Sequence, residues 1–231
     1  MLKKIITLEL LLIAFSINVF ARNEHISLDG LWSFNIDSTQ QGFNSQWFKI
    51  GLPASKEMVI VPHTWNVKKE IARYWGWAWY QRNIDVPKNW NCKTIRLQFN
   101  AVYHDATIWV NGIMAGEYKG SGFTKFFIDA TKYSKTGAQN AITVLADNSF
   151  SNTTIPYSIS FDWPSDGGII RSVNMQATNS VYIGQVHAMA KTDYSNPKKP
   201  SGTLAVKVAL NEINKVDTKL LACKKIVIEE N

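Results

Sequence analysis

Ile95, Leu97, Phe99 and Ala101 alternate with Thr94, Arg96, Gln98 and Asn100, so an extended backbone here carries apolar side chains on one face and polar ones on the other. The same period of two returns at Ala106, Ile108 and Val110, at Ile142, Val144 and Ala146, and at Leu204, Val206, Val208 and Leu210. Further strands are expected near residues 28–36, 58–61, 79–86, 123–128 and 172–177. Helical periodicity is scarce, and only 44–48 and 131–134 read as single helical turns. Val110-Asn111-Gly112-Ile113 contains the Asn-Gly pair favoured in two-residue hairpins. Many short strands separated by turn residues predict an all-β chain built as a sandwich.

The 231 residues leave room for one medium domain and part of another, or for one large β domain. A hydrophobic content of 45% and nine Trp exclude a disordered chain. Lys3 and Lys4, the mostly apolar run 5–20 and the small-residue pattern Val19-Phe20-Ala21 read as an export signal over residues 1–21. Glu9 interrupts the run and no stop-transfer flank follows it, so no membrane association is expected after cleavage, and the location expected is periplasmic or secreted. The net charge is +7, but the lysines are dispersed and the one pair, Lys198-Lys199, lies in the hydrophilic connector 193–202. Nucleic acid is therefore not an expected partner. Cys92 and Cys223 define neither a disulfide framework nor a metal site, and both are expected as unpaired, buried thiols. His25, His63, His104 and His187 lack metal-ligand spacing, and no phosphate loop, dinucleotide motif or nucleophile elbow occurs, so neither metal nor cofactor is expected. His63 reads better as the donor or acceptor of a loop-closing hydrogen bond than as a general base.

The segment from Phe161 through Asp162, Asp166, Gly167 and Gly168 to Arg171 sets a carboxylate just before a glycine corner. Such a corner can aim Asp162 into a cleft, and capping of the turn is the competing role. For Asp166 capping is the stronger reading. Trp75, Trp77 and Trp79 are spaced by two, so on an extended segment all three would project from one side. An indole row of this kind can stack on pyranose rings or pack in a core; core packing is the stronger reading for Trp79, and sugar contact stands for Trp75 and Trp77. Glycoside hydrolysis needs two carboxyl groups across the sugar, about 5–9 Å apart, and Asp162 and Asp166 on one turn are not placed to flank a bond from opposite sides.

With these residues in view, the chain resembles the N-terminal sugar-binding domain of the family 2 glycoside hydrolases, which include β-galactosidases, β-glucuronidases and β-mannosidases. The resemblance runs in register from Leu28 to Thr178, through Leu28-Asp29-Gly30-Leu31-Trp32, Val61-Pro62-His63-Thr64-Trp65-Asn66, Trp79-Tyr80-Gln81-Arg82, Ile108-Trp109-Val110-Asn111-Gly112 and Gly167-Gly168-Ile169-Ile170-Arg171. It implies a jelly-roll, galactose-binding-like β-sandwich over residues 22–178, followed by a partial immunoglobulin-like β-sandwich over 179–231. In family members a catalytic (β/α)₈ barrel follows, and that barrel is expected to be missing from this chain. An Asp six residues before the second corner glycine binds the sugar in β-galactosidases, and that position falls on Asp162. An Asn found in some members before the Trp79 motif is replaced by Trp77, which leaves galactose and glucuronate both open.

The two catalytic glutamates of the family belong to the barrel, and Asn211-Glu212 and Asn23-Glu24, which share only the dipeptide of the acid/base, are read as coincidences. The resemblance thus implies the sugar-binding portion of a secreted family 2 glycosidase with no catalytic residue of its own, whose partners are the terminal sugar of a β-glycoside and a barrel. Freestanding carbohydrate binding, or docking without sugar contact, are the alternatives.

Overall fold

The computed structural model describes residues 24–152, 154–155, 157–159, 162, 165–195, 201–212 and 226–228. The expected export signal, the connector residues 196–200 and Cys223 lie outside the described residues, as do Phe161, Trp163 and Pro164 beside Asp162. Ten strands form two antiparallel sheets. One holds β1 (Glu24–Ser27), β5 (Thr94–Phe99), β8 (Phe126–Asp129) and β10 (Val173–Thr178) in the order β1-β10-β5-β8. The other holds β2 (Gly30–Asp37), β3 (Glu57–Val61), β4 (Trp77–Val86), β6 (Asp105–Val110), β7 (Ile113–Tyr118) and β9 (Ala138–Asp147) in the order β3-β2-β4-β9-β6-β7. The two sheets face each other as a jelly-roll sandwich. A third antiparallel sheet contains β11 (Val181–Asp193), β12 (Ser201–Glu212) and β13 (Ile226–Ile228).

Alternation decides what enters the core. Ile95, Leu97 and Phe99 of β5, Met175 and Ala177 of β10, and Ile142, Val144 and Ala146 of β9 all lie in one buried cluster between the sheets with Trp32, Phe34, Trp65 and Tyr80. Each fully buried aliphatic side chain of this kind contributes about 1.5–3 kcal/mol relative to exposure. At the β6–β7 hairpin, Asn111 and Gly112 both take positive φ, 53° and 77°, which matches the twist of the flanking strands. The Asn111 side chain then donates to the carbonyl of Tyr133 at 2.9 Å and accepts from the amide of Ala141 at 3.0 Å.

The six-stranded sheet is covered on its outer face as well, which single-faced alternation does not anticipate. Trp79, Trp109, Leu145 and Leu52 form a second buried cluster there, with Trp47, Phe48 and Trp77 packed against it. Its lid is the segment 42–52, including a single helical turn, α1 (Trp47–Ile50). Residues 44–48 were expected to supply this turn; it starts instead at Trp47, because Asp37 accepts the amides of Gln41 and Gly42 at 2.9 and 2.8 Å and holds the preceding residues in a loop. The same carboxylate accepts the indole N–H of Trp79 at 2.9 Å. The Phe48 ring stacks on Trp109 at 5.0 Å between centroids, and Trp109 on Trp79 at 5.3 Å.

Two further expectations need correction. The strand expected from Phe123 begins at Phe126, since the Phe123 ring packs on Tyr103 at 5.1 Å. Cys92 is free, as expected, but exposed, because it turns away from the core just after the buried Trp90 with φ of 61°. Arg96 links the sandwich to the third sheet: its guanidinium lies 4.9 Å from the Phe127 ring and 3.9 Å from the Tyr182 ring.

Candidate functional site

The glycine corner is fixed by close approach on both residues. A Cβ at position 167 would fall 2.0 Å from Cζ2 of Trp65, so Gly167 is required by packing and not by its backbone angle. Gly168 has φ of 142°, and a Cβ there would meet the carbonyl oxygen of His63 at 2.2 Å. Gly168 exchanges two backbone hydrogen bonds with Tyr103, at 2.9 and 3.1 Å. The amides of His63 and Trp65 donate to the carbonyls of Ile169 and Gly167 at 2.8 and 3.2 Å.

Beneath this corner two buried asparagines join three segments. Asn66 donates to the carbonyls of Ala72 and Tyr74, both at 3.1 Å, and its Oδ1 accepts the amide of Gly167 at 2.7 Å. Asn148 accepts the amide of Gly76 at 2.8 Å and donates to the carbonyl of Ser165 at 2.7 Å; its amide group also reaches Asn66 Oδ1 at 3.5 Å. A buried amide so fully used is stabilising, whereas one left without partners costs about 1–3 kcal/mol per orphaned group. Sequence reasoning missed both residues. Asn66 closes the histidine-containing motif and was legible there; Asn148 follows the end of a strand and carries no pattern.

The lock positions the loop between β9 and β10, on which Asp162 lies exposed. Ile155, Tyr157 and Ile159 of this loop are also strongly exposed. Both tryptophans assigned to sugar contact meet the root of the loop: the Trp77 indole N–H donates to Asp147 at 2.9 Å, and the Trp75 ring packs on Phe150 with centroids 5.4 Å apart. Each is half-buried. Trp79, by contrast, is fully buried in the outer cluster, so the three indoles do not form one open row. The Tyr74 hydroxyl donates to the carbonyl of Trp77 at 2.8 Å, and burial, followed by the charge of Asp37, pushes its pKa up to about 12. Asp166 is half-buried beside the corner.

His63 closes its loop by hydrogen bonding, Nδ1 to the Tyr80 hydroxyl at 2.8 Å, with the Phe34 ring edge-on at 5.0 Å. Burial lowers its pKa below the ordinary 6.5 and raises that of Tyr80 far above 10.0, so both groups are neutral near pH 7. This pair is structural. Among the described residues no group of three or more His, Cys, Asp or Glu side chains is arranged to hold a metal ion.

The motif residues are fasteners throughout. Arg82 donates to the carbonyls of Leu28 and Asp29 at 2.7 and 2.8 Å, Asp29 accepts the amide of Val173 at 2.9 Å, and Trp32 donates to the carbonyl of Leu28 at 2.7 Å. They define the sandwich and the corner.

Residues 26–179 match the family described as glycosyl hydrolases family 2, sugar binding domain. The chain belongs to this family. The β-glucuronidase of Rattus norvegicus is 30% identical over 198 residues, covering 72% of this chain and 30% of that protein. That of Homo sapiens is 27% identical over 239 residues, covering 87% of this chain and 35% of that protein. The crystal structure of Ruminococcus gnavus β-glucuronidase superimposes with a TM-score of 0.72 at 23% identity, over 82% of this chain and 33% of that one, which bears on the fold alone. The chain therefore spans 30–35% of the length of these two mammalian relatives.

Proposed function

We propose that this chain is the substrate-orienting, sugar-binding portion of an exported β-glucuronidase-like glycoside hydrolase, acting beside a catalytic barrel in the hydrolysis of O-glycosyl bonds. On this reading residues 22–178 form the sugar-binding domain, 179–231 belong to an immunoglobulin-like domain, and residues 1–21 direct export. The observation that carries it is the asparagine lock under the Gly167–Gly168 corner, which holds the two ends of the loop exposing Asp162. A carboxylate on a loop with a rigid base is suited to orienting a hydroxyl of a terminal sugar, and Trp75 and Trp77 at that base are suited to the apolar face of its ring. The exposed Ile155, Tyr157 and Ile159 supply apolar surface for docking against a neighbouring domain. Glucuronate is favoured over galactose as the sugar because the relatives named above are β-glucuronidases.

Titration of the chain with phenyl β-D-glucuronide and phenyl β-D-galactoside, followed by Trp fluorescence, tests this. The glucuronide is expected to bind more tightly, and Asp162→Asn to weaken it about tenfold, the worth of one hydrogen bond to a charged group. Asp162→Asn binding as tightly as the parent chain, or neither glycoside binding at millimolar concentration, would remove the assigned role.

A further inference from the structure

Register places a second polar site at the end of the sandwich away from the corner. β10 runs from Val173, opposite Phe99, to Thr178, opposite Thr94. The corner precedes Val173, whereas a cavity of about 370 Å³ opens at the other end, lined by residues that include Thr94, Asp129, Lys132, Ser134 and Ser180. That volume lies near the lower end of the range for small-molecule sites, about 300–1,000 Å³.

The chemistry of the walls is that of a hydroxyl-rich anion. Trp90 contributes to the lining but is only 1% exposed, so recognition here is by hydrogen bonding and not by ring stacking. Lys93 is held by Glu24 at 2.8 Å, while Lys132 forms no ion pair among the described residues and its ammonium stands 4.9 Å from the Tyr133 ring. Asp129 accepts the amide of Thr131 at 2.9 Å and retains further acceptor capacity. Thr136 and Ser180, both half-buried, add hydroxyl side chains to the lining. One cation without an ion pair, one acceptor carboxylate and two hydroxyls around a monosaccharide-sized space suit a sugar that carries a single negative charge.

We propose that this cavity is a second carbohydrate site, specific for a carboxylated monosaccharide, with the carboxylate on Lys132 and ring hydroxyls on Asp129, Thr136 and Ser180. It uses none of the residues of the Asp162 loop and stands independently of the role proposed for that loop.

Cys92 lines the same cavity and is exposed, so its reactivity reports occupancy. In a Cys223→Ser chain it is the sole thiol, and its rate of modification by N-ethylmaleimide is measured against D-glucuronate, D-glucose and acetate. Glucuronate is expected to slow the reaction saturably, glucose and acetate to do so only at much higher concentration, and Lys132→Ala to weaken the glucuronate effect about fivefold. Equal protection by acetate would reduce the site to one for any small anion and overturn the proposal, as would an absence of protection by glucuronate. Protection that survives Lys132→Ala but disappears with Asp162→Ala would move the binding to the loop, with the same consequence.

Discussion

Asn66 Oδ1 accepts the amide N–H of Gly167 at 2.7 Å, a contact spanning 101 positions of sequence. Through it the loop after β3 and the corner before β10 become one body, and Asn148 ties the end of β9 into the same body through Gly76 and Ser165. Three connections at one end of the sandwich thus share a buried polar junction. Its consequence is a fixed base for a loop whose tip is exposed.

Asn66→Ala strands the buried Gly167 amide, while the Tyr74 carbonyl keeps the Trp65 indole N–H at 3.3 Å and Ala72 is exposed. A loss of about 1–3 kcal/mol in unfolding free energy is expected, read from urea denaturation. A loss under 0.5 kcal/mol would show that water replaces the side chain and that the junction is not rigid.

Gly167→Ala places a methyl group 2.0 Å from the Trp65 ring, which is itself fully buried. Overpacking of this kind costs about 1–3 kcal/mol, and a rigid indole leaves little room for relief. Gly202→Ala is the matched control, since a Cβ there meets nothing within 4 Å. Thermal unfolding of the two variants should differ by several degrees; equal midpoints would contradict the packing account.

How far the sequence disclosed this arrangement follows from the range of the interactions. Period-two alternation is local, so β5 and β9 and the Asn111-Gly112 hairpin could be read directly. The outer core could not. Core packing is the stronger sequence reading for Trp79 and sugar contact for Trp77, but the layer in which Trp79 packs is set by Asp37, distant in sequence, which draws the lid over it. The Asn148 half of the asparagine junction is invisible for the same reason, because hydrogen bonds between loops leave no periodicity. Asp162 was singled out by the glycine corner that follows it and given its sugar-binding role only through the family resemblance, while the cavity beside Cys92 arises only when the ends of β5 and β8 meet Ser180.

Asp37 gathers three N–H donors at one buried carboxylate, from Gln41, Gly42 and Trp79. Asp37→Ala is expected to cost about 3 kcal/mol, with loss of the lid over Trp79. Trp fluorescence should shift to the red and quenching by acrylamide should rise at temperatures where the rest of the sandwich remains folded. An unchanged spectrum would mean that the lid is held by ring stacking alone.

His63 predicts a pH dependence with a definite sign. Burial holds its folded-state pKa below the ordinary 6.5, so between the two values the unfolded chain binds more protons than the folded one. Stability therefore rises with pH through that window, is fully present above about 6.5, and falls as the solution is acidified through it. The Tyr80 hydroxyl reinforces the sign: burial holds its pKa well above 10.0, so it stays protonated and can donate its O–H to His63 Nδ1. Protonation of Nδ1 removes that acceptor. His63→Asn is expected to flatten the stability profile between pH 5 and about 7 relative to the parent chain, measured by urea unfolding at several pH values. His25, His104 and His187 are retained in both chains, so the difference between profiles belongs to His63. A slope that persists in the variant would assign the acid sensitivity to other groups.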